Sequence, residues 1–267
     1  MKIPRTIHYC WFGGNPLGSE ELKCIESWRK HFPDYSICRW DESNFDVRCC
    51  PYASQAYDAK KWAFVSDYAR FAILFEHGGL YFDTDVEVIR PMDDIIAKGP
   101  FMGFESDVGG AESSCTVNPG LGLAASPRLE LYELILNSYQ SDEFVRADGT
   151  FDQTTVVTRT TEILRSHGLK DAPGVQNVAG VAIYPSEYFN PKDFRTGEIN
   201  VTTNTRSIHH FGMSWYSESE KYRHEVESKL LNSFLNENVA HRIAMLATAI
   251  RFGELDRITS YLKKRGR

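Results

Sequence analysis

Between Phe64 and Val88 the spacing of apolar residues changes period, and this change restricts the fold more than any other stretch of the 267-residue chain. Phe64, Val65, Tyr68, Phe71, Ala72 and Phe75 recur at helical spacing, and Gly78 or Gly79 offers the left-handed stop such a helix needs. From Leu80 the pattern alternates. Leu80, Phe82, Thr84, Val86 and Val88 fall on one strand face, and Tyr81, Asp83, Asp85 and Glu87 on the other. The stretch IPRTIHYCWFGG reads as a strand ended by a Gly-Gly turn, SEELKCIESWRKHFP from Ser19 as a helix with an acidic first turn, and YSICRWDE as a strand. Strand, helix, strand in that order predicts an α/β fold on a mostly parallel sheet.

Further along, GPFMGFES and GLGLAAS read as short strands, PRLELYELILNSYQ as a helix and TEILRSHGL as part of another. Residues 173–212 look irregular apart from strand-like VAIYPSEYF and SIHHFG, and the pattern is helical after Ser217. With no repeat or low-complexity linker, the expectation is a catalytic domain over residues 1–216 and a helical C-terminal extension over 217–267.

A formal net charge of -6 argues against a general nucleic-acid binder, which needs a broad basic face. The N-terminal apolar stretch is short and broken by His8, unlike an export signal, and no run of about 18 apolar residues exists to span a membrane. Cys10, Cys24, Cys38, Cys49, Cys50 and Cys115 match no zinc spacing, and adjacent Cys49 and Cys50 make a poor disulfide. Reduced thiols and a cytoplasmic location are the expectation.

Asp83 and Asp85 carry the chemistry. Two carboxylates at i and i+2 on one strand face can reach one cation, directly or through water, and hard oxygen ligands suit Mg²⁺ or Mn²⁺. A buried pair without a cation would repel, whereas a pair at a solvated strand end needs none, so D-x-D alone leaves both readings open. The preceding helix adds Ser66, Asp67 and Arg70, with Asp67 and Arg70 three apart on one helical face.

SDYARFAILFEHGGLYFDTDVEV closely resembles the signature S-D-x-x-R-x-x-x-L-x-x-x-G-G-x-Y-x-D-x-D of the glycosyltransferase family with a DXD sugar-binding region. That family includes bacterial capsular polysaccharide transferases and initiating mannosyltransferases, and is related to clostridial toxin glucosyltransferase domains. The resemblance implies a GT-A type fold, Rossmann-like and flanked by helices. It also implies a retaining, metal-dependent transfer of a hexose from a nucleotide sugar, UDP-linked, to a saccharide hydroxyl in surface polysaccharide synthesis. Two flanking stretches extend it. IPRTIHYCWFGG is similar to the family's opening strand, with Trp11 at the position that stacks on uracil, although as an isolated residue Trp11 reads as core. SIHHFGMSW looks like its late His-x-x-x-x-Ser-Trp element, in which His209, or His210 if the register is one off, completes a metal shell.

Position by position, the resemblance implies that Asp67 and Arg70 bind the donor sugar and its phosphate side and that Ser66 and Tyr81 touch the nucleotide. Asp83 would reach ribose or sugar hydroxyls and metal-bound water, Asp85 would ligate Mn²⁺ or Mg²⁺, and Ser214 and Trp215 would close over the diphosphate. Asn118, Asp152 and Gln153 are sugar-site candidates, with a helix N-cap the competing role for Asp152. The readings from other classes are an inactive nucleotide-sugar binding protein and an aspartyl-nucleophile phosphatase. The acceptor would be a saccharide, free or lipid-linked. The tail, with Ile243, Leu246, Ala247 and Ile250 and the closing Lys263, Lys264, Arg265 and Arg267, either packs as a helix or rests on the inner face of the plasma membrane.

Overall fold

The computed structural model describes residues 2–107, 114–213, 216–233 and 235–253. In chain order the elements are β1 (Thr6–Cys10), α1 (Ser19–His31), β2 (Ser36–Trp40), α2 (Pro51–Asp58), α3 (Trp62–His77), β3 (Gly79–Tyr81) and β4 (Val86–Val88). They continue with α4 (Asp93–Ile96), β5 (Phe101–Ser106), β6 (Thr116–Val117), β7 (Leu123–Ala125), α5 (Glu130–Gln140) and α6 (Val156–Ser166). Last come β8 (Gln176–Val178), β9 (Val181–Tyr184), α7 (Ser186–Phe189), β10 (Ser207–His209), α8 (Glu218–Asn232) and α9 (Glu237–Phe252). The chain up to Pro191, with Asn200–His210, forms one compact unit, and 192–199 joins the described residues from Phe211 onward in a second.

In the first unit the sheet order is β2-β1-β3-β7-β5-β9-β8, with β6 on β5. The pairings run β1, β2, β3, β5 and β9 in one direction and β7, β8 and β6 against them, so the expected α/β, mostly parallel sheet is what the chain adopts. Period-two alternation sends neighbouring side chains into two cores. Leu80, Phe101, Ala124 and Tyr184 face Trp28, Phe32 and Phe189 on one side of the sheet, while Tyr81, Met102, Leu123 and Ile183 face Phe71, Tyr132 and Leu164 on the other. Helices cover both faces, as a largely parallel sheet requires.

Helix α3 buries Val65, Tyr68, Phe71 and Leu74 and ends where Gly78 takes a φ of 62° and Gly79 one of 103°. A Cβ on Gly78 would stand 2.8 Å from the Pro127 nitrogen and one on Gly79 2.6 Å from the Thr6 carbonyl oxygen. The two-glycine turn thus lets the helix end pass directly beneath β1.

The expected single strand from Leu80 to Val88 does not form. Pairing on β7 stops at Tyr81, opposite Leu123, because the chain before Leu123 is a single 3₁₀ turn, Pro119–Leu121, which offers no ladder. Phe82 still donates to the His8 carbonyl (3.2 Å), after which the chain turns, with Val86 N–H on the Asp83 carbonyl (3.1 Å). β4 then pairs antiparallel with β10 in a separate ribbon, placing His209 opposite Val86.

The second unit is a helix pair. Ser217 and Glu220 form a reciprocal capping box at the start of α8. Within α9 the buried residues are small: Ala240, Ala244, Thr248 and Ala249. Arg251 lies 4.3 Å from the Tyr222 ring centroid, tying the end of α9 to α8.

Candidate active site

The turn between β3 and β4 gives the two aspartates separate surroundings. Asp83 donates its N–H to the Gly120 carbonyl at 3.2 Å. Its carboxylate accepts from Arg70 Nη1 at Oδ2 and from the Tyr81 hydroxyl at Oδ1, both at 3.1 Å. Asp85 Oδ1 stands 3.2 Å from His209 Nε2, and the Asp85 carbonyl accepts the His210 N–H at 2.9 Å. His210 reaches instead to Glu87 Oε2, at 2.9 Å. His209, the last residue of β10, is thus directed to Asp85, and His210, the next residue along, to Glu87.

Arg70 organises the floor of the site. Its buried guanidinium donates to Asp83, to Asp67 Oδ1 (2.9 Å) and, through Nε, to the Ser66 carbonyl one helical turn back (3.1 Å). It also lies 5.1 Å from the Tyr81 ring centroid. Burial pushes the Asp67 carboxyl up to about 6, opposed by Arg70, reinforced by Asp83, and opposed again by the Val156 N–H at the start of α6. Burial alone would lower the His209 imidazole, but Asp85, Asp83 and Glu105 outweigh it and the net shift is upward. Asp67, Asp83, Asp85 and Glu105 gather around Arg70 and His209, a concentration of carboxylate that would suit a divalent cation.

Glu105 and Gly120 belong to this cluster although the sequence reading passed over both. Glu105 Oε1 accepts from Asn118 Nδ2 (2.9 Å), and Asn118 Oδ1 accepts from the Gly120 N–H (2.7 Å). A Cβ on Gly120 would stand 2.1 Å from Asp83 Oδ2, so only glycine fits against that carboxylate. In sequence both residues sit inside apolar, strand-like runs with no chemical spacing to single them out.

The other candidates take varied places. Tyr81 is 1% exposed and its hydroxyl braces Asp83. The Ser66 hydroxyl bonds back to the Trp62 carbonyl at 3.1 Å. Trp11 is half-buried just past β1, its indole N–H on the Asn15 carbonyl at 2.7 Å, and it packs on one core while keeping an exposed side. Asn118 caps the 3₁₀ turn with its amide oxygen. Asp152 is not the N-cap of α6, a role Thr155 fills. Its carboxylate instead accepts the Thr154 N–H and hydroxyl and pairs with Arg146 at 3.0 Å. Gln153 beside it is exposed. Ser214 and Trp215 lie outside the described residues, as do Lys263, Lys264, Arg265 and Arg267.

Among the described residues no three acidic, histidine or cysteine side chains converge as a ready cation cage. Asp85 and His209 do form a two-donor edge, which suffices for an ion that completes its shell with water and substrate phosphates.

Residues 18–102 match the family described as glycosyltransferase sugar-binding region containing DXD motif. Inositol phosphoceramide mannosyltransferase 1 of Schizosaccharomyces pombe is 29% identical over 112 residues, 38% of this chain and 34% of that protein. The uncharacterized glycosyltransferase L373 of Acanthamoeba polyphaga mimivirus is 32% identical over 109 residues, 37% of this chain and 42% of that one. The matched stretch thus spans less than half the length of either relative. Among solved structures, PaToxG glycosyltransferase aligns with 61% of this chain and 69% of its own at 17% identity and a TM-score of 0.43. The galactosyltransferase LgtC, in complex with donor and acceptor sugar analogs, aligns with 85% and 95% at 13% identity and 0.39. The resemblance read from Ser66 to Val88 therefore falls within the stretch that matches the glycosyltransferase family.

Proposed function

We propose that the chain is a divalent-metal-dependent glycosyltransferase that moves a hexose from a UDP-sugar to a saccharide hydroxyl with retention of configuration. The observation that carries the reading is the 3.2 Å approach of Asp85 Oδ1 to His209 Nε2 on the edge of the carboxylate cluster. Neighbouring ligands of an octahedral ion at about 2.1 Å stand about 3 Å apart, so this pair fits Mn²⁺ or Mg²⁺. The imidazole favours Mn²⁺. Asp85 and His209 would hold the ion, which when bound neutralises charge developing on the diphosphate as the sugar C1–O bond breaks.

The chain's own residues do the rest. Asp83, braced by Arg70 and Tyr81, presents a fixed carboxylate to donor hydroxyls and to water on the ion. Arg70 is committed to Asp67, Asp83 and Ser66, so its work is to hold the aspartates rather than to clamp phosphate. The acceptor hydroxyl attacks on the face the diphosphate leaves, and a leaving phosphate oxygen takes its proton. An acceptor on a lipid at the cytoplasmic face of a membrane, within surface polysaccharide synthesis, is the setting we favour. The name of the fission yeast relative, which specifies inositol phosphoceramide for that enzyme, supports the lipid-linked acceptor alone. The phosphatase reading is disfavoured because the Arg70 guanidinium and the Tyr81 hydroxyl both donate to the Asp83 carboxylate, which makes it a poorer nucleophile.

The test is a mass-spectrometric screen for release of UDP or GDP from nucleotide sugars with Mn²⁺. Turnover of a UDP-sugar, abolished by chelation and reduced roughly 100-fold or more in Asp85→Ala, is expected. Absence of both binding and hydrolysis of every UDP-sugar, or an unimpaired Asp85→Ala variant, would sink the reading. Binding without turnover would identify a nucleotide-sugar binding protein instead.

A further inference from the structure

Helix α9 is built inside out for a helix that packs only on its own chain. Its buried positions Ala240, Ala244 and Thr248 are small and four apart, whereas its large aliphatic residues point away. Val239 is 43% exposed, Ile243 42%, Leu246 50% and Ile250 67%. These four recur at steps of four, three and four, which keeps them on one face over about three turns. Folding against α8 alone would favour the opposite choice, with leucine and isoleucine inside and alanine outside.

Charge is distributed as unevenly. From Glu237 to the C-terminus the sequence holds Arg242, Arg251, Arg257, Lys263, Lys264, Arg265 and Arg267 against Glu237, Glu254 and Asp256. Seven less three leaves +4, so the rest of the chain, at a total of -6, carries -10. An exposed aliphatic stripe inside the basic part of an acidic chain suits a negatively charged apolar surface. A second copy of the chain is a poorer fit. At these exposures four aliphatic side chains present roughly 300 to 400 Å², well short of the about 800 Å² per partner of a stable interface.

We propose that the Val239–Ile243–Leu246–Ile250 face of α9 seats the protein on an anionic lipid surface. The helix lies in the plane of the headgroups with its aliphatic stripe inserted and exposed Arg242, next to Ile243, among the lipid phosphates. This stands apart from the glycosyltransferase reading, since the contact requires neither donor nor metal.

The full chain is sedimented with vesicles of phosphatidylcholine alone and of equimolar phosphatidylcholine and phosphatidylglycerol, without nucleotide sugar or metal ion. Binding to the anionic vesicles, weakened by salt and absent from the neutral ones, is expected. Leu246→Gln with Ile250→Gln should lower that binding about tenfold or more. Both sites are exposed, so the thermal unfolding of the double variant should match the parent, which separates lost docking from lost folding. No binding to anionic vesicles overturns the proposal. So does a parent chain that dimerises in solution and becomes monomeric in the double variant while vesicle binding is unchanged, because the face would then belong to a second copy.

Discussion

Replacing Gly120 with alanine tests whether the aspartate turn is held by steric fit. Gly120 does not adopt a left-handed φ, so alanine carries no backbone penalty there and the whole effect comes from the added methyl. That methyl would stand 2.1 Å from Asp83 Oδ2 and 3.0 Å from Asn118 Oδ1. Real Cβ contacts do not fall below 3.0 Å, so the carboxylate must retreat by 3.0 less 2.1, or 0.9 Å. Retreat stretches the 3.1 Å bonds to Arg70 Nη1 and to the Tyr81 hydroxyl. Each charge-assisted bond contributes about 1.5–3 kcal/mol. Because rotation of the carboxylate can retain one of the two, the expected loss is about 2–3 kcal/mol.

Urea denaturation of Gly120→Ala, Asp83→Ala and the double variant measures this directly. With the Asp83 carboxylate removed, the 2.1 Å clash is gone and the Asn118 oxygen stands at the edge of contact, 3.0 Å away, so the second substitution should cost little. A coupling energy of about 2 kcal/mol is expected, far above the few tenths typical of independent sites. Equal cost of Gly120→Ala in both backgrounds, or no cost in either, would refute the steric account.

Other perturbations separate the roles of neighbouring groups. His8 accepts from the Trp40 indole at Nδ1 and donates from Nε2 to the Gly78 carbonyl, each at 3.0 Å, and burial lowers its pKa from 6.5 to about 4. The unfolded chain therefore takes up a proton as pH falls below 6.5 while the folded chain resists until about 4. Up to about 3 kcal/mol should be lost across that window, and the pH slope of chemical-denaturation stability there should flatten in His8→Gln. Arg70→Lys leaves one point charge where a fork bridged two carboxylates, and should lower the stability read by urea denaturation by about 3 kcal/mol despite keeping the charge. Asp85→Asn, whose carboxylate faces His209 rather than the buried Arg70, should stay within about 1 kcal/mol of the parent in urea, while calorimetric titration with Mn²⁺ loses its signal. Asp83→Asn should show the reverse weighting, with a clear loss of stability.

The structure departs from the sequence reading wherever an outcome depended on a distant partner. Helix α3, its glycine stop and the pairing of Asp67 with Arg70 were legible because each is local: a 3.6-residue period, an obligatory positive φ and a spacing of three. The strand through Asp83 and Asp85 was misread because alternation reports which side chains prefer burial, not whether a neighbouring strand is present. The missing neighbour lies about 40 residues downstream, where Pro119–Leu121 curls into a 3₁₀ turn beside Asp83 instead of extending β7. Glu105 was hidden for a related reason, since within GPFMGFES it looks like a solvated strand residue until the fold brings Asn118 to it.

The same non-local cause changes what the D-x-D spacing accomplishes. On a continuous strand the two carboxylates would share one environment and repel across one face. The turn separates them instead. Asp83 is turned toward the guanidinium of Arg70, which offsets its charge in the floor of the site, and Asp85 is carried onto the β4–β10 ribbon beside His209. One aspartate is thereby fixed as structure and the other presented with an imidazole as a two-donor edge, an asymmetry that equal spacing in the sequence conceals. This division of labour also explains why Gly120 stands beside the motif: it removes a side chain where Asp83 must come close enough to the backbone to keep its bond to Arg70.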